Sequence, residues 1–170
     1  NVGASATQGV ALSASDRTVT AGRAGQVAIG GTAGVGVGVD VQSITKDTRA
    51  WIAPRAAVAA NGNVTVDATS TEKIVSISAG ASVGGTAGVS VNAGVSVIDV
   101  TTMATVGEEC AAGTATETAC ASSRTTVNAG GSVRIQALAA LDLDVIAGSI
   151  AIGGTAGVGA GAAVPIVSKT

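Results

Sequence analysis

Residues 74–97 read IVSISAGASVGGTAGVSVNAGVSV. From Val75 to Val97 every odd position is Val, Ile or Ala, apart from Gly85. Every even position from Ser76 to Ser96 is Ser, Gly, Thr or Asn. A period of two is that of pleated strand, whose side chains alternate between two faces. Ordinary strands run about 5–6 residues. The pattern therefore predicts either one very long strand or a strand bent where Gly84, Gly85 and Gly94 permit. The even face is made of small side chains and carries no Lys or Glu. So smooth a face suits flat packing on a second sheet at short distance better than it suits water.

The stretch recurs. GGTAGV occurs at 30–35, 84–89 and 153–158, at offsets of 54 and 69. Residues 54–83 align without gaps to 123–152, and the excess of the second offset is a 15-residue insertion, 108–122 (EECAAGTATETACAS). Internal repeats at a fixed period signal a stacked architecture. The expected domain is thus single, 1–170, with a partial unit 1–29, units 30–83 and 84–152 (the latter holding the insertion), and a partial unit 153–170. Gly30, Gly31, Gly84, Gly85, Gly153 and Gly154 form the repeat motif. Asn61, Gly62, Gly130 and Gly131 form the repeat turn, expected there because Asn and Gly tolerate positive φ. No segment has helical periodicity. The fold class is all-β, a parallel β-solenoid (β-helix) of 54-residue tandem repeats with one inserted disulfide loop. Coils of roughly 18–27 residues would place two to three in each repeat.

Composition narrows the function. The 170 residues include 25 Gly, one Trp, no Phe and no Tyr, so any core must be built from small and β-branched side chains. Hydrophobic content of 46% with only two Pro argues against disorder. A net charge of −2 with 12% charged residues gives no basic surface for nucleic acid. No apolar run reaches the length of a transmembrane helix, and a lone aromatic cannot build the girdles of a membrane barrel. With no His, Ser-His-Asp and Cys-His catalysis are excluded, as are His-based metal sites. Glu108 and Glu109 are adjacent in a loop and do not converge. No catalytic residue, metal ligand or cofactor is expected, and the chain is read as no enzyme.

Cys110 and Cys120 both lie in the insertion, and their pairing as a disulfide is expected, with an oxidising, extracellular setting. Trp51 aligns with Thr105, so the repeat does not need it. It is read as a packed coil-edge residue, with a contact role as the alternative. Asn63-Val64-Thr65 is a glycosylation sequon at a turn where Asn is expected in any case.

VNAGGSV at 127–133 and VIAGSIAIGGTAGVGAGAAV at 145–164 resemble the repeats of large bacterial secreted filamentous exoproteins, the filamentous haemagglutinin-like and leukotoxin-like adhesins. The resemblance spans the chain except for 108–122, where the cysteines depart from the pattern. It implies a cell-surface β-solenoid with adhesive or scaffolding roles and no catalysis. The expected function is a structural extracellular fibre or adhesin-stalk segment, self-assembling end to end. Its partners would be copies of itself, flanking repeats of a longer chain, or a host surface ligand, with neither nucleic acid nor a transmembrane segment. The alternative is a solenoid module that recognises glycan, host protein or ice.

Overall fold

A computed structural model describes residues 8–107 and 124–170. The expected disulfide Cys110–Cys120, the pair Glu108 and Glu109 and the insertion that holds them lie outside the described residues. Eight strands follow in chain order: β1 Val10–Gly30, β2 Ala33–Ile52, β3 Ala57–Ala60, β4 Val64–Gly84, β5 Ala87–Val106, β6 Thr126–Ala129, β7 Val133–Gly153 and β8 Ala156–Lys169. The fold is all-β, and every ladder is parallel.

The quoted stretch is two strands. β4 and β5 run unbent through Gly80 and Gly94, and the chain turns only at Gly85-Thr86. A strand of 21 residues is about 70 Å long at 3.3 Å per residue. The order β1-β4-β7 forms one long sheet, β2-β5-β8 a second, and β3-β6 a short third. Val10 pairs with Val64 and Ala33 with Ala87, 54 positions on. Val64 pairs with Val133 and Ala57 with Thr126, 69 positions on. Each 54-residue stretch therefore lays down one broad layer, not the two to three narrow coils expected.

Inward residues have even numbers in β1, β2, β4 and β5, and odd numbers in β7, because a 69-residue offset flips parity. Away from the GGT turns the interior holds two apolar clusters. Ala50, Ile52, Val64, Val66 and Ala68 form one cluster, closed at the end by Val58, Ala60 and Val127 from the short sheet. Ile74, Ile98 and Val100 form a second, against Ile44, Leu141 and Leu143. Ile98→Val should cost about 1 kcal/mol, the price of one methyl in a site that cannot collapse; a urea denaturation midpoint measures it.

Asn61-Gly62 and Gly130-Gly131 are turns, but not for the reason expected. Among the described residues only Arg55 and Gly107 have positive φ. Glycine is used at 130 because a Cβ there would strike the Asn61 carbonyl of the layer beneath. Stacking, rather than φ, selects glycine at 130. The turns are tied layer to layer, with Gly130 N donating to Ala60 O and Gly131 N to Gly62 O.

Candidate functional site

The distinctive region is the end of the sheet pair that holds the three GGT turns. There the ordinary arrangement is reversed. Gly34, Gly36 and Gly38 face inward from β2, while Val35, Val37, Val39 and Val41 face outward. In β4 the inward residues are Ser76, Ser78, Gly80 and Ser82, and the outward ones run from Val75 through Ile77 to Val83. β5 repeats this, with Ser90, Asn92, Gly94 and Ser96 inside. Ile29 is 80% exposed and Val27 78%. Small polar side chains thus fill the inside, and branched apolar ones cover both outer faces.

Backbone proximity explains the inside. A Cβ on Gly88 would fall against the Ile152 backbone of the opposite sheet, and one on Gly34 against Val83. Two larger side chains fit because glycines leave room for them: Gln26 lies over Gly36, and Asn92 over Gly38 and Gly80. Gln26 Nε2 donates to Ser90 Oγ at 2.7 Å, as Asn92 Nδ2 does at 3.3 Å. Deeper along the strands, Asp40 accepts from Gln42 Nε2 at 3.1 Å and from the Ser76 hydroxyl.

A charged cluster lies between the two apolar clusters, with Ile44 and Ile74 between it and this polar interior. Lys46 Nζ lies 2.9 Å from Asp16 Oδ1 and 2.9 Å from Glu72 Oε1, and Ser70 also donates to Glu72. Burial works against the Lys46 charge, but the hydrogen bonds and charges of Asp16 and Glu72 outweigh it and hold its pKa above the ordinary lysine value. A folded-state pKa above the unfolded one means that Lys46 contributes its full stabilisation below the unfolded value, about 10.4. That contribution is lost as pH rises through the higher folded value. The urea midpoint should fall over that alkaline interval, and Lys46→Met should remove this part of the fall.

Gly30, Gly84 and Gly153 end β1, β4 and β7, while Gly31, Gly85 and Gly154 sit in the turns. A Cβ on any of the first three would meet the carbonyl of Ala33, Ala87 or Ala156 as the chain reverses. Trp51 lies at the other end, on the outer face of β2 beside Thr105, and is 56% exposed rather than packed. Asn63 Oδ1 accepts from Ser132 N at 2.9 Å, so the carboxamide of the sequon bridges two layers. Among the described residues no group of three or more Cys, Asp or Glu is placed to hold a metal ion. Among the described residues no helix is long and apolar enough to cross a membrane.

The inward charges Asp16, Lys46 and Glu72 were not singled out from sequence. Their even numbers, shared with Val64, Val66 and Ile74, are the signal that marks them as interior.

No family model, curated protein or solved structure matches the chain.

Proposed function

We propose that the chain is a structural, non-catalytic segment of an extracellular β-rich fibre or adhesin stalk, a parallel β-solenoid of 54-residue repeats whose layers stack end to end. The observation that carries this reading is the constant register together with open edges. β1 and β2 form one end of the stack and β7 and β8 the other, and each presents unpaired backbone groups that template further pairing. Outward charges on the two ends are complementary. β1 carries Arg17 and Arg23, and β7 carries Asp142 and Asp144. Continuing the register would set Arg17 beside Ala140, diagonal to Asp142, and Arg23 beside Ile146, diagonal to Asp144. Lys73 already makes such a pair with Asp142 between adjacent layers, at 2.6 Å.

Electron microscopy of the non-reduced protein over a range of concentrations tests this. Filaments with a meridional spacing of about 4.8 Å, strands lying across the axis, are expected. Discrete short rods at every concentration would overturn self-stacking.

A further inference from the structure

We propose that the GGT-turn end of the sheet pair is built to stand in the hydrocarbon of a lipid bilayer, strands upright, with the charged end outside. The proposal rests on the stacking reading above, since the open backbone edges of β1 and β7 must be paired by further layers before they enter hydrocarbon.

The pattern reverses part-way along the strands. On β4 the outward charge nearest the turn is Lys73, and on β7 it is Asp144. On the opposite sheet the first outward charge after the turn of β5 is Asp99. Beyond these levels the outer faces of β4, β5 and β7 become Val, Ile, Ala and Gly together. The inside of β4 and β5 changes from Ile and Val to Ser, Asn and Gly, and that of β7 from Leu143 and Val145 to Ala147, Ser149 and Ala151. A partner protein seated on one face would account for one apolar surface. A change on both faces at one level along the strands, with an inverted interior, fits the boundary of an apolar phase that the molecule crosses.

Dimensions agree. Val75 to Val83 is nine residues, and Ala87 to Val97 is eleven, about 30–36 Å at 3.3 Å per residue. The hydrocarbon core of a bilayer is about 30 Å thick, and strands of 9–11 residues cross it. The tip itself is satisfied. Thr86 N donates to Thr32 O at 2.8 Å, and Thr155 N to Thr86 O at 2.9 Å, so the turns bond from layer to layer as the strands do. Besides Asp144, which stands at the band's edge level with Val75, two charges stand inside the band. They are Asp40, inward at the level of Gly94 and hydrogen-bonded by Gln42 and Ser76, and Arg23, outward at the level of Ile77. In the stacked register it gains Asp144 of the neighbouring layer.

The test uses the full chain and phosphatidylcholine vesicles in a flotation assay, with Val37→Lys/Val91→Lys as the variant and Ser13→Lys, on the charged end, as the control. Both valines face outward, so in water the lysines are solvated; they are direct ladder partners, and the repulsion between two exposed charges there shifts the folding equilibrium by less than about tenfold. Strand circular dichroism and filaments in lipid-free buffer should be unchanged. In the hydrocarbon midplane each lysine is costly, and the bound fraction should fall by about thirtyfold or more. Ser13→Lys should float like the parent. Parent filaments that form but do not float would overturn the insertion and leave the fibre intact. Flotation of material that never forms filaments would overturn the stacking reading, and with it the arrangement proposed here. Lateral bundling without lipid, dispersed by Val37→Lys/Val91→Lys while the parent ignores vesicles, would assign the faces to a second copy of the chain and also overturn insertion.

Discussion

Lys46→Met should destabilise the protein by about 3–5 kcal/mol, the cost of leaving a buried carboxylate without its counter-charge. Glu72 is fully buried, and its other hydrogen-bond partner is the Ser70 hydroxyl, which is neutral. Asp16 is 44% exposed and can turn to water once Lys46 is gone, so the loss falls mainly on Glu72. Removing Lys46 and Glu72 together is a different change. Lys46→Met with Glu72→Leu leaves an apolar filling beside Ile74, Val100 and Leu141, and should recover most of the lost stability. Urea unfolding of the two single variants and the double closes the cycle. A double variant no better than Lys46→Met would show that the ions stabilise through something other than each other.

Gly88→Leu should cost about 3 kcal/mol, the upper end of what overpacking does. The obstacle is the Ile152 backbone of the facing sheet, which cannot swing aside as a side chain does. Gly34 and Gly157 occupy the same column in the layers to either side and abut Val83 and Ala151 in the same way. A local opening at Gly88 must therefore propagate along the stack. Val91→Leu adds bulk three residues away, but on the outer face, and should stay within about 0.5 kcal/mol. Equal losses for the two would refute close sheet-to-sheet contact as the reason for glycine. Thermal midpoints of both variants decide it.

Much of this arrangement was legible in the chain. Alternation fixed strands, GGTAGV fixed the offsets, and those offsets of 54 and 69 reappear as ladder registers. The preference of the Ser/Gly/Asn face for close packing was legible too, since that face lacks the Lys and Glu of a wetted surface. Other features were not. Coil width depends on where a strand bends, and glycine permits a bend without compelling one. Gly94 lies inside an unbroken β5, whereas Gly85 turns. The role of Gly130 depends on a carbonyl 69 residues earlier, a proximity that a local reading of φ does not contain. Trp51 shares odd parity with Arg49 and Asp47, and that parity, more than its bulk, sets it on the outer face.

The broad layer has a kinetic consequence. Every ladder in the long sheets joins residues 54 or 69 positions apart, so none can close as a local hairpin. Val10 finds its first ladder partner only when Val64 is present. Loops of that length close slowly, and chains dominated by such distant pairings are slow folders. The first layer is thus the expensive event, and each later one adds to a surface already in place. Growth by templating, started rarely and then propagated, is what this topology favours over collapse of the whole chain at once. Refolding traces should accordingly show a lag that preformed layers abolish.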